Sequence, residues 1–121
     1  MENTILKDKS YAFAVRIVKL YQFFIGEKKE FVLIKQLLRS GTSIGANVAE
    51  AYGAISDADF SAKMSIAYKE TLETKYWLSI FKDTHYLTEL EFASLYKDAD
   101  ELGKLLFTTL KSTNRIKSCK K

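Results

Sequence analysis

Apolar residues recur at steps of three and four along most of this chain, the spacing that aligns side chains on one face of an α-helix. The pattern predicts four helices, at about residues 10–25, 31–52, 57–83 and 88–116. The connections between them are short, so consecutive helices must run antiparallel. The sequence therefore predicts an all-α, up-down-up-down antiparallel four-helix bundle.

Each predicted helix has a stripe of residues assigned to the core. The first stripe consists of Ala14, Ile17, Val18, Tyr21, Phe24 and Ile25. The third consists of Phe60, Met64, Ala67, Thr71, Thr74, Leu78 and Phe81. Within the second helix, Gly41 and Gly45 lie four residues apart on the apolar face. Because glycine lowers helix propensity by about 1 kcal/mol relative to alanine, we expect this pair to permit a close approach by a neighbouring helix.

Residues at the predicted helix ends support these boundaries. Gly26, which precedes a charged turn, is expected to end the first helix. Ser56 or Asp57 is expected to cap the start of the third. Thr88 with Glu91 three residues later has the spacing of a capping box at the start of the fourth.

Composition limits the class of protein. The chain has 121 residues, 47% hydrophobic and 28% charged, and no proline, which suits one helical domain over residues 1–121. No apolar run approaches the roughly 18 residues of a membrane span, so no membrane association is expected. The single cysteine, Cys119, cannot form an intramolecular disulfide. A reducing cytoplasm is therefore the expected compartment.

Charge is segregated along the chain. Residues 1–49 carry eight Lys/Arg and four Asp/Glu, a net charge of +4, whereas residues 50–101 carry five and eleven, a net charge of −6. Residues 102–121 carry six bases and no acid. A basic end, with the tail 117–121, suits an acidic partner, RNA or DNA, but it also suits a solvated helix C-terminus. Both interpretations stay open.

The candidate nucleic-acid contacts are basic residues near the helix ends. They are Lys111, Arg115, Lys117, Lys120 and Lys121, extended by Arg16 and Lys19 of the first helix. Such residues predict contacts with phosphates that do not depend on base sequence.

A second candidate group consists of polar residues and one tryptophan on two consecutive helices. It consists of Arg39, Ser43, Asn47 and Glu50 on the second helix and Glu70, Glu73 and Trp77 on the third. Spacings of three and four place each set on one helical face. Three interpretations are open: a solvated face, a polar network within or between subunits, or a ligand site.

Catalytic and metal chemistry are not expected. The only histidine, His85, lies in the predicted turn between the third and fourth helices, whereas di-iron bundles need two Glu-x-x-His pairs. Ser40, Ser43 and Cys119 have no histidine at helical spacing to act as a base. We therefore predict no catalytic residue, no metal and no cofactor, with a weak carboxylate site for a hard cation as a distant alternative.

Two segments resemble a known family. They are residues 36–51, QLLRSGTSIGANVAEA, and residues 67–78, AYKETLETKYWL. Together they resemble the signature of the four-helix-bundle proteins named after intervening sequences in 23S rRNA genes. The family is also similar to the accessory proteins of diversity-generating retroelements, which are basic bundles that bind nucleic acid.

The resemblance implies an up-and-down bundle that assembles into a homo-oligomeric ring, most often a pentamer, with no enzymatic activity. The central segment of net charge −6 departs from the strongly basic retroelement proteins. Aromatic residues outside the predicted stripes, namely Phe13, Phe23, Tyr68 and Tyr76, favour an oligomer as well. We therefore expect an oligomeric binding or scaffolding module that associates with nucleic acid, or a structural protein–protein interaction module without a nucleic-acid role.

Overall fold

A computed structural model describes residues 4–113 of the chain. Its four α-helices are α1 (Thr4–Phe23), α2 (Leu33–Ala51), α3 (Asp57–Asp83) and α4 (Glu89–Ser112). Each helix packs against the next one in sequence, and α1 also contacts α4. Residues 4–113 contain no strand. The predicted all-α four-helix bundle is confirmed; the tail 117–121 and a helix end near residue 116 lie outside the described residues.

Of the three helix boundaries predicted from capping residues, the starts of α3 and α4 are correct. Ser56 caps α3 by accepting a hydrogen bond from the Asp59 amide at 3.0 Å. Thr88 and Glu91 form a reciprocal capping box at the start of α4. Gly26, however, does not end the first helical segment. The chain continues beyond α1 as a π-helical turn, Phe24–Lys28, which ends where Lys29 adopts a left-handed conformation with φ of 56°.

The first helix differs from the prediction in both its start and its buried face. It begins at Thr4, about two turns before Ser10, because Leu6 is already a core residue. Phe13, predicted to lie outside the core, is only 2% exposed, whereas Val18, predicted to be buried, is 38% exposed. The core face of α1 is therefore rotated from the predicted stripe.

The core is apolar apart from a few small hydroxyl side chains. At one end, the buried rings of Phe24 and Phe81 stack with centroids 5.3 Å apart. Between α2 and α3, the buried Thr74 hydroxyl lies 3.0 Å from the Ser40 hydroxyl and donates to the Glu70 carbonyl. These small residues let α2 and α3 approach without leaving the hydroxyl groups unsatisfied.

Across residues 4–113, none of the helices combines the length and the apolar composition that crossing a bilayer requires.

Candidate functional site

Arg39 on α2 connects to α3 through two glutamates. Its Nη1 donates to both carboxylate oxygens of Glu70 at 3.2 Å, and its Nη2 lies 2.6 Å from Oε2 of Glu73. The same Glu73 oxygen accepts a hydrogen bond from the Trp77 indole at 3.0 Å. The hydrogen bonds from Arg39 and then Trp77 lower the pKa of Glu73, and those to Glu73 and Glu70 raise the pKa of Arg39. We call these four residues the Arg39 cluster.

The other predicted polar residues make separate contacts. The Asn47 side-chain amide donates to the Ser43 carbonyl at 2.9 Å, one turn earlier in α2. Glu50 pairs with Lys63 on α3 at 3.0 Å. The structure therefore places the Arg39 cluster inside one chain and leaves Ser43, Asn47 and Glu50 outside it.

Ion pairs also link α1 to α4. Arg16 Nη1 lies 2.7 Å from the Asp98 carboxylate, and its Nη2 donates to the Ser94 hydroxyl at 3.0 Å. Lys9 pairs with Glu101 at 3.3 Å. The charge of Arg16 is therefore balanced by an acid of its own bundle.

The described members of the basic candidate set do not form one patch. Lys111 lies 13 residues beyond Asp98, the partner of Arg16, and is therefore about 20 Å further along α4. Lys19 is exposed on α1, beyond Arg16 in the opposite direction. The remaining candidates, Arg115, Lys117, Lys120 and Lys121, lie outside the described residues.

An apolar groove runs between α1 and α2 on the outside of the bundle. It has a volume of about 480 Å³, and small or apolar residues form most of its wall. Its lining includes Tyr11, Ala14, Thr42, Gly45, Ala46 and Ala49. The Tyr11 side chain is 72% exposed, and Val15 and Val18, four and seven residues later, continue the exposed apolar surface along α1. We call this surface the α1/α2 groove.

A different groove, of about 290 Å³, lies between α3 and α4. Asp100 lies between two lysines there, 2.9 Å from Lys75 and 3.4 Å from Lys104. Hydrogen bonds from Lys75 and then Lys104 lower the pKa of Asp100. The rings of Tyr68 and Phe107 form one wall, with centroids 6.0 Å apart and planes inclined at 48°. Lysines and aromatic rings thus alternate on one surface.

Tyr68 is the one lining residue of this second groove that the sequence pattern indicated as a candidate for contacts. Lys75, Lys104 and Phe107 were not predicted as site residues. A signal was present in the spacing of Lys104 and Lys111, which lie seven residues apart and therefore on one side of α4. The pairing of that side with Tyr68 depends on the register of α3 against α4, which no local pattern encodes.

The residues considered for metal binding and catalysis are scattered. Among residues 4–113, no three His, Cys, Asp or Glu side chains group in a way that could hold a metal ion. His85 is exposed in the turn between α3 and α4, with φ of 67°. Ser40 is buried and bonded within the core, so its hydroxyl does not face solvent.

Comparison with known proteins identifies a matching family and a similar solved structure. The family model described as 23S rRNA-intervening sequence protein matches residues 2–108. A similar solved structure is a crystal structure of a protein of unknown function from the S23 ribosomal protein family of Bacteroides thetaiotaomicron. It is 54% identical, with a TM-score of 0.86, and the match covers 88% of this chain and 98% of that chain. No curated protein matches this sequence.

Proposed function

We propose that this chain, which belongs to the 23S rRNA-intervening sequence protein family, acts as a non-enzymatic, self-associating binding module of the cytoplasm. The α1/α2 groove is the observation that carries this proposal. Contiguous apolar surface exposed to water usually marks an interaction site, because covering it removes that surface from solvent. A second copy is always present at the chain's own concentration, which makes it the simplest partner.

The shape of the α1/α2 groove supports association between proteins. Ala46 and Ala49, which are small and exposed, leave room on α2 for a bulky side chain, and the exposed Tyr11 adds contact area from α1. If another part of the chain fills the groove of the next copy, the contact repeats head to tail, and it forms a ring when the rotation between copies closes. A ring of five copies is the assembly implied by the family resemblance, and we adopt it for this proposal.

The Ala49→Arg variant tests this assignment. Both residues are good helix formers, so the fold is expected to survive, but a long charged side chain would enter the α1/α2 groove. We expect the molar mass measured by light scattering to fall to that of smaller species. Gln36→Arg, at an exposed position of α2 outside the groove lining, is the matched control and should leave the mass unchanged. An unchanged mass for Ala49→Arg would refute the groove as the interface.

Nucleic-acid association is the second candidate function, and the lysines of the α3/α4 groove favour it. The predicted contacts at the helix ends support it less, because Arg16 is paired with Asp98 and far from Lys111. A structural module without a nucleic-acid role is the alternative, and oligonucleotide titrations separate the two.

A further inference from the structure

Several acidic side chains of α3 and α4 form ion pairs on the sides of the bundle that face α2 and α1. Glu70 and Glu73 face α2, where Arg39 pairs with them, and Asp98 and Glu101 face α1, where Arg16 and Lys9 pair with them. The charged residues that line the groove between α3 and α4 are two lysines, Lys75 and Lys104, and one acid, Asp100. The net charge of the two helices therefore hides a basic face.

We infer that this face binds single-stranded nucleic acid, with its lysines contacting phosphates and its aromatic rings stacking on bases. We call it the α3/α4 face. Its residues are Tyr68, Lys75, Asp100, Lys104 and Phe107, which line the groove, and Lys111, which is seven residues after Lys104 and therefore on the same side of α4. The inference rests on the second candidate function, nucleic-acid association, and specifies its site and its ligand. It does not depend on self-association through the α1/α2 groove, which lies between the other two helices.

The charge of the α3/α4 face suits a polyanion. Three lysines stand against one acid, Asp100, whose carboxylate is already shared by Lys75 and Lys104. Within residues 4–113, Lys111 takes part in no ion pair, and its side chain is exposed. Lysines that contact phosphates release the cations condensed on the nucleic acid, so binding should weaken steeply as salt rises.

The aromatic residues suit unpaired bases. Phe107 is 37% exposed, and Tyr68 lies against its ring in the groove. The Lys75 ammonium lies 5.1 Å from the centroid of the Tyr96 ring, so cations and rings are interleaved. Stacking of this kind is tolerant of base sequence and requires a base face that a duplex does not expose. A single strand therefore fits this face better than a double helix does.

Fluorescence anisotropy with the full chain tests the inference. The probes are labelled oligo(dT), labelled oligo(U) and a duplex of the same length, each titrated across a salt series. We expect both single strands to bind more tightly than the duplex. Lys104→Gln should reduce the slope of log affinity against log salt by about one. Lys35→Gln, an exposed lysine on α2, is the control and should behave like the unmodified chain.

A second variant separates stacking from charge. Phe107→Leu keeps an apolar side chain at a partly exposed position, so the fold is expected to survive, but the side chain cannot stack on a base. We expect it to lower single-strand affinity by on the order of tenfold with little change in the salt slope. Circular dichroism and the molar mass of each variant show whether fold and assembly are intact.

Three results would overturn the inference. One is the absence of single-strand binding at low salt; another is duplex binding as tight as single-strand binding. The third is an equal loss of affinity in Lys104→Gln and Lys35→Gln, which would show binding by general charge. If no oligonucleotide binds and Phe107→Leu changes the molar mass, the α3/α4 face is a protein interface. That outcome would leave self-association standing.

Discussion

Gly41 on α2 lies directly against Ile17 on α1. A Cβ atom built at Gly41 would be 2.8 Å from Cγ1 and 3.0 Å from Cγ2 of Ile17, closer than atoms pack in proteins. Both residues are fully buried. The absence of a side chain at Gly41 thus sets the separation of α1 and α2, the two helices that form the α1/α2 groove.

We expect Gly41→Ala to destabilise the bundle. Alanine favours the helix by about 1 kcal/mol, but overpacking a filled core costs about 1–3 kcal/mol, and the Ile17 side chain that must move is branched at Cβ and fully buried. A net loss on the order of 1 kcal/mol should appear in urea unfolding. Gly26→Ala is the matched control, because nothing lies within 4 Å of a Cβ built there.

The double variant Gly41→Ala/Ile17→Ala provides an internal check. Removing the γ carbons of Ile17 costs stability by itself but also removes the clash. The two changes should therefore destabilise less together than the sum of their separate effects. Additive effects would show that Gly41 is not kept small by Ile17.

The Arg39 cluster predicts how stability depends on pH. The pKa of Glu73 is lowered in the folded chain, chiefly by Arg39, so its contribution is present above the ordinary glutamate pKa of about 4 and lost as pH falls through the lowered value. Arg39→Gln should cost up to about 1 kcal/mol at neutral pH, because the group is partly exposed. The difference between variant and parent should shrink below about pH 4.

Two measurements check this prediction. Urea unfolding at neutral and acidic pH gives the stability difference, and carbon NMR of the Glu73 carboxylate gives its titration directly. In Arg39→Gln the pKa of Glu73 should rise towards its ordinary value, and Arg39→Lys should restore only part of the effect because lysine lacks the forked guanidinium. An unchanged Glu73 titration in Arg39→Gln would contradict the assigned cause.

The sequence was most informative where an unbroken series of three- and four-residue steps marks one face of a helix. On α3, the predicted residues from Met64 to Phe81 coincide with the buried face, and the caps at Ser56 and Thr88 follow from local hydrogen bonding. On α1, apolar residues occur on more than one side, including Phe13 and Val18. Periodicity alone does not decide which of those sides faces the core.

The candidate surfaces were less predictable, because the spacing of residues within one helix does not give its register against the next helix. The Arg39 cluster appeared in the sequence as polar sets on two consecutive helices, but the choice of Glu70 and Glu73 over Glu50 depends on the register of α2 against α3. The α3/α4 face combines Lys75 with residues at least 25 positions away, such as Asp100. Only packed helices bring these residues together.

Sedimentation velocity of the unmodified chain over a range of micromolar concentrations tests the central claim most directly. One chain has a mass of 13.8 kDa. We predict a single species of several times that mass, with five copies the expected multiple, because the α1/α2 groove is covered by another copy. A species of one-chain mass at every concentration would contradict self-association and leave the groove without its proposed partner.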